Sequence, residues 1–257
     1  MAEDKRAIYP SLEGRVVLVT GGATGIGAAH VEGFCRQKAK LAFFDIQASA
    51  GAMLADEIAA AGGAKPLFRH VDLTDIAALQ EAIEEVRNAL GPITVLVNNA
   101  ANDQRHRLED VTVEYWDERF AVNLRHQFFA ARAVWPMMRE AGGGSIINFG
   151  SVSWHQRTGG MPAYTSAKAA VEGLTRSLAR DLGPDRIRVN CVIPGWIMTE
   201  RQMTLWLTPE AEADLIKNQC LKDKVYPEDV ANLVLWLAAD DSHMCSAQNF
   251  VIDAGLI

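Results

Sequence analysis

The chain has 257 residues, of which 49% are hydrophobic and 22% charged. That balance excludes a disordered chain, a collagen-like repeat and a long coiled coil, and the length suits one large domain or at most two. The formal net charge of −7 repels phosphate backbones and sets general nucleic-acid binding aside.

Cys35, Cys191, Cys220 and Cys245 stand far apart, without metal-ligand or redox spacing. No metal is expected, and the thiols read as free and reduced, as in a cytoplasmic protein. Residues 1–14 are charged and lack the apolar run of a secretory signal. No run of about eighteen apolar residues occurs, so no membrane-spanning helix is expected.

Short β-rich runs alternate with helical ones. Residues 15–20 read as a buried strand and 25–38 as a helix. A strand follows at 41–45, then an Ala-rich helix over 47–61 that stops at Gly62-Gly63. Residues 68–72 form the third strand. Ile76, Leu79, Ile83, Val86 and Leu90 then fall on one helical face, with Thr74 as the candidate cap and Gly91-Pro92 as the stop. The fourth strand is 93–97. A long helix is predicted over 113–141 and broken by Gly142-Gly143-Gly144. Residues 145–149 are a strand, 162–182 a helix and 187–193 a strand. Residues 196–224 show no clear period; 227–239 are helical and 250–253 close the chain as a strand. Apolar strands separated by helices predict an α/β fold, a single-domain, Rossmann-type doubly wound parallel sheet over 1–257 with helices on both faces. Ligands of such sheets bind beyond the carboxyl ends of the strands, so the residues there are the candidates.

After the first strand comes Thr20-Gly-Gly-Ala-Thr-Gly-Ile-Gly27. Glycines let a backbone turn approach a pyrophosphate at a helix N-terminus, although a plain tight turn has the same composition. Asp45 ends the second strand. Its carboxylate can accept from both hydroxyls of an adenosine ribose and repels a 2′-phosphate, which favours NAD over NADP; no Arg or Lys lies between Asp45 and Lys65 to hold that phosphate. Asp72 suits an adenine amino group and a helix cap equally well. Asn98-Asn99-Ala100-Ala101 follows the fourth strand, where small residues let a nicotinamide ribose lie close.

Ser151 follows the fifth strand, and Tyr164 and Lys168 lie one helical turn apart on the next helix. A free tyrosine is too weak an acid to serve as a base at neutral pH, and a nearby ammonium lowers its pKa. Tyr164 with Lys168 can therefore take the proton of an alcohol whose oxygen Ser151 orients.

Together, Thr20-Gly21-x-x-x-Gly25-Ile26-Gly27, Asn98-Asn99-Ala100, Asn123, Ser151, Tyr164-x-x-x-Lys168 and Pro194-Gly195 with Thr199 resemble the motifs of the short-chain dehydrogenase/reductase family, from about Leu12 to the C-terminus. The resemblance implies catalytic roles for Asn123, Ser151, Tyr164 and Lys168, with Asn123 linking Lys168 to solvent. It implies an NAD site at Gly21, Thr24, Gly25, Ile26, Gly27, Asp45 and Ile46. The same site extends to Asp72, Leu73, Asn99, Ala100 and Ala101, and ends on Tyr164, Lys168, Pro194, Gly195, Ile197 and Thr199. Ala101 departs from the usual glycine and trims the pocket by a methyl. A homotetramer is also implied.

A narrower resemblance, to bacterial NAD-dependent pentose 1-dehydrogenases, rests on Ala7-Ile-Tyr-Pro-Ser-Leu12, Asn102-Asp-Gln-Arg-His106, Tyr115-Trp-Asp-Glu-Arg119, Asn148-Phe-Gly-Ser-Val-Ser-Trp-His155, Arg201-Gln202 and Gln219-Cys-Leu-Lys222. It implies oxidation of an aldopentose such as L-arabinose or D-xylose to a lactone. Polar residues support such a substrate independently, because a buried sugar hydroxyl needs partners. The candidates are Asp103, Arg105, Gln202 and His155, with Ser151 and Tyr164 at the reacting hydroxyl and 196–224 as a lid. The competing readings are an Asp103–Arg105 ion pair on a solvated loop and His155 as plain loop surface. A dehydrogenase of polyols or other secondary alcohols would use the same catalytic residues. A non-enzymatic NAD-binding module is opposed by the intact catalytic set.

Overall fold

The computed structural model describes residues 6–257. Residues 1–5, part of the charged start that argued against a secretory signal, lie outside them.

Strand β1 (Val16–Thr20) leads into α1 (Gly25–Arg36), β2 (Lys40–Asp45) into α2 (Ala48–Ala60), and β3 (Leu67–His70) into α3 (Ile76–Leu90). After β4 (Ile93–Asn98) come α4 (Val113–Phe120) and α5 (His126–Glu140), then β5 (Gly144–Phe149) and α6 (Pro162–Leu182). β6 (Ile187–Pro194) is followed by α7 (Glu200–Leu205), α8 (Pro209–Asn218), α9 (Pro227–Ala238) and β7 (Asn249–Ile252). The strands form one seven-stranded sheet in the order β3-β2-β1-β4-β5-β6-β7, each pair parallel.

The alternation of strand side chains explains why these strands are apolar throughout. Val17 and Val19 pack in one core with Phe34 of α1, Leu54 of α2 and Val234 of α9. Val16 and Leu18 pack in the other with Ile83 of α3, Val134 of α5 and Leu178 of α6. With helices on both faces, the polar side chains inside the strands are few and hydrogen-bonded, such as Ser145 to the Leu237 carbonyl and Asn190 to the Cys245 carbonyl. The order turns back between β1 and β4, which opens a crevice beyond their carboxyl ends.

Three local expectations need correction. Asp75 caps α3, accepting from the Ala78 amide at 3.0 Å. Thr74 is instead held by Asp72, whose Oδ1 accepts from its amide (2.9 Å) and its hydroxyl (2.8 Å). The helix expected over 113–141 is interrupted by a π-turn at Ala121–Arg125, where the His126 amide reaches back to the Ala121 carbonyl. One extra residue in that turn rotates α5 relative to α4 and buries Asn123. Finally, 196–224 is not irregular: it carries α7 and α8, tied to the body by a parallel bridge between Ile197 and Val225. Among the described residues, no helix is long and apolar enough to cross a membrane.

Candidate active site

A cavity of about 1640 Å³ opens beyond the carboxyl ends of the strands, running from the glycine turn and Asp45 to Tyr164 and Gln202. Of the residues expected at the site, all line it except Lys168, Asn123 and His155.

The glycine turn is locked from outside. Asn99 Nδ2 donates to the carbonyl oxygens of Thr20 (3.0 Å) and Gly21 (2.9 Å), and the Ala100 amide donates to Thr20 Oγ1 (3.2 Å). Gly21 has φ +65°, and a Cβ there would lie 2.7 Å from the Ala100 Cα. A Cβ on Gly27 would lie 1.8 Å from the Gly21 carbonyl oxygen. Only glycine fits at either position. The Thr24 side chain makes no capping hydrogen bond at the start of α1, so the first-turn N–H groups remain for an anion.

Asp45 is buried, and each carboxylate oxygen accepts one backbone amide, Ala23 at 2.9 Å and Gln47 at 2.9 Å. Each oxygen keeps lone-pair capacity for a hydroxyl. The narrow glycine turn, the uncapped helix start and this carboxylate fit a dinucleotide, with the pyrophosphate at α1 and the adenosine ribose at Asp45. Asp72 lines the same end, and its Oδ1 is engaged by Thr74. Among the described residues, no group of three or more His, Cys, Asp or Glu is placed to hold a metal.

Tyr164 and Ser151 line the middle of the cavity. Burial pushes the Tyr164 phenol well above its ordinary value; a hydrogen bond from Ser151 pulls it back, and the Asp103 charge raises it further. Lys168 lies beneath the cavity wall, 1% exposed. Its Nζ donates to the Phe149 carbonyl at 2.8 Å and lies 5.8 Å from the Tyr164 ring centre. Burial brings the ammonium down to about 8. Asn123 is committed to the chain itself: its Oδ1 accepts from the Asn102 amide (2.9 Å), and its Nδ2 donates to the carbonyls of Asn102 (3.2 Å) and Arg119 (2.9 Å). It thereby fixes the residue just before Asp103.

The far end is polar. Gln202 Nε2 donates to Asp103 Oδ2 at 2.6 Å, and Arg201 Nε lies 3.4 Å from Asp103 Oδ1. Trp196 Nε1 donates to Gln202 Oε1 at 2.9 Å, and the Arg105 guanidinium lies 4.4 Å from the Trp206 ring centre. The alternative of an Asp103–Arg105 ion pair is therefore not what forms. His155 is not brought to the cavity. Its Nε2 bonds Glu172 Oε1 at 3.0 Å and its ring lies on Trp154, with centroids 3.8 Å apart. The buried Glu172 carboxylate also takes Trp154 Nε1 (2.7 Å) and Asn249 Nδ2 (2.5 Å), and these draw the 154–155 segment outward.

Several contributors carry no signal in the sequence. Arg201 and Trp206 act through partners about a hundred residues away in the chain, and Trp196 acts through Gln202, six residues on. His126, fully buried and depressed to about 4 by burial, bonds the Ala100 carbonyl through Nε2 at 3.1 Å and holds the turn beneath the glycines. Leu256, near the C-terminus, lines the cavity.

Comparison with known proteins agrees with this geometry. The family described as "Enoyl-(Acyl carrier protein) reductase" matches residues 21–257. The chain is 50% identical over 249 residues to the D-xylose 1-dehydrogenase of Caulobacter vibrioides, covering 97% of this chain and 98% of that one. It is 49% identical over 248 residues to a Rhizobium meliloti protein described as "Probable galactose dehydrogenase", covering 96% and 97%. A solved 7α-hydroxysteroid dehydrogenase, complexed with NADH and 7-oxo glycochenodeoxycholic acid, superposes with a TM-score of 0.91 at 29% identity over 96% of both chains. The chain belongs to the short-chain dehydrogenase/reductase family, as an oxidoreductase of CH–OH groups with a fold built to bind a nicotinamide dinucleotide.

Proposed function

We propose that the protein is an NAD-dependent aldose 1-dehydrogenase that oxidises the anomeric hydroxyl of an aldopentose, of the L-arabinose or D-xylose type, to the lactone. The observation that carries this reading is the shared cavity. Asp45 stands at its adenosine end, Ser151 and Tyr164 at its middle, and Asp103, Arg105 and Gln202 at its far end. The D-xylose and galactose relatives support a sugar. A polar far wall also suits hydroxyls, each of which needs a partner when buried. NAD is favoured because the Asp45 carboxylate repels a 2′-phosphate.

The cyclic sugar carries a hemiacetal hydroxyl on C1. Ser151 Oγ holds that oxygen, and Tyr164 Oη takes its proton. Lys168, through its ammonium, favours the phenolate that does so, and its attachment to the Phe149 carbonyl fixes its position. The bound dinucleotide supplies the acceptor for the C1 hydride. The ring oxygen stabilises the positive charge developing on C1, and the C1 carbonyl of a lactone results. Asp103, Arg105 and Gln202 bind the remaining hydroxyls. Asn123 supports the relay to solvent by holding the 102–103 backbone. His155, bonded to Glu172, takes no part in sugar binding. The segment 196–224 acts as a lid over the sugar.

The active form is a homotetramer, and the four free cysteines suit a reducing cytoplasm. Initial rates of NADH formation with L-arabinose, D-xylose, D-galactose, D-glucose, xylitol and a 3-hydroxyacyl thioester test the reading. Turnover concentrated on one or two aldoses supports it. Turnover of xylitol or the thioester with none of any aldose overturns the sugar assignment and leaves the catalytic residues standing. Light scattering tests the tetramer.

A further inference from the structure

Asp103 joins two distant parts of the chain. Gln202 and Arg201 reach it from α7, while Trp196 braces Gln202 and Trp206 receives Arg105. The Gln202 hydrogen bond, at 2.6 Å, and the Arg105–Trp206 contact already hold the lid to the loop after β4. Arg201 adds a looser contact, 3.4 Å long with a side chain 55% exposed, which contributes little to holding. What it brings is charge.

That charge lands beside the catalytic pair. The Asp103 carboxylate acts on Tyr164, disfavouring the phenolate, and on Lys168, favouring the ammonium. The other groups facing Tyr164 are the Ser151 hydroxyl, which donates to it, and Lys168. Cys191 and the neutral His126 lie behind Lys168, and Glu172 acts on Cys191. Arg105 and Arg201 are the cations at the lid side, and Glu118 of α4, Glu200 of α7 and Asp214 of α8 also line the cavity. Arg105 is turned onto Trp206, whereas Arg201 meets Asp103 itself.

We propose that Arg201 is a positioning residue for the reaction: carried on α7, it pairs with Asp103 and offsets that carboxylate's charge beside Tyr164, which readies the base. The inference rests on the reading of Tyr164 as that base. On that reading Asp103 binds sugar hydroxyls while its charge hinders proton removal, and Arg201 supplies the countercharge.

The test is the pH dependence of kcat/KM for L-arabinose at saturating NAD, from about pH 6 to 10, in the wild type, Arg201→Gln, Asp103→Asn and the double variant. Arg201→Gln is expected to raise the midpoint of the acid limb by about half a unit, with about a threefold loss on that limb and little change of the alkaline plateau. Arg201→Lys restores the wild-type midpoint. In the Asp103→Asn background, Arg201→Gln no longer moves it. An unmoved midpoint with a lowered plateau overturns the proposal, as does the same shift in the absence of Asp103. Tyr164→Phe is run alongside. If it keeps turnover and the acid limb, the base assignment itself has failed, a result distinct from either failure of Arg201.

Discussion

The side-chain amide of Asn99 is spent on the glycine turn: its Nδ2 donates to the Gly21 carbonyl at 2.9 Å and to Thr20 at 3.0 Å. The end of β4 therefore also shapes the glycine turn after β1. Asn99→Ala leaves two carbonyls without that donor, at about 1 kcal/mol each. A rise of about 5- to 30-fold in the NADH dissociation constant is expected, measured by fluorescence titration. Unchanged affinity would show that the turn holds its shape without Asn99.

Asp45→Ala removes the charge to which we assign discrimination against the 2′-phosphate. The ratio of kcat/KM with NAD to that with NADP is expected to fall by at least about tenfold. The Ala23 and Gln47 amides also lose their acceptor, so a modest fall in Tm accompanies it. Discrimination against NADP that survives the substitution would assign cofactor choice elsewhere.

His30 and His126 set an acid limit on the fold. Both are fully buried, and burial lowers them to about 3 and about 4 respectively. Their unfolded values are about 6.5, so below that pH the unfolded chain binds protons that the native protein does not. Stability is full above about 6.5 and is lost as pH falls toward the folded values. With both groups contributing, the loss between pH 6 and 4.5 is on the order of 2 kcal/mol per pH unit. Urea midpoints across that range check it. His30→Leu is expected to halve the slope, and a flat profile from pH 6 to 5 would contradict the burial of both rings as neutral groups.

The central strands were legible because they are buried on both sides and read as largely apolar runs, as in Val16–Thr20 and Ile93–Asn98. The end of the cavity at the glycine turn was legible because the turn, the helix start and the Asp45 carboxylate are local in the chain. The π-turn at Ala121–Arg125 was not, since one extra residue inside an otherwise continuous helical run leaves no mark in composition. His155 was misplaced because its partner, Glu172, lies on α6 and outcompetes a cavity-facing position. Asp103, Gln202 and Arg105 do line the cavity, but their mutual contacts with Trp196, Arg201 and Trp206 come from packing of α7 that no spacing announces. The helices of 196–224 were hidden by length: α7 has 6 residues and α8 has 10, too few for a clear period.

The central claim is that the hydride leaves the anomeric carbon. The most direct measurement uses L-arabinose and D-xylose deuterated at C1, with the NADH analysed by mass spectrometry and the product trapped as a hydroxamate. The account predicts deuterium in the reduced cofactor, a trapped aldonate derivative, and loss of both in Tyr164→Phe. Reduced cofactor without deuterium, or a ketose product that keeps the label at C1, would contradict it.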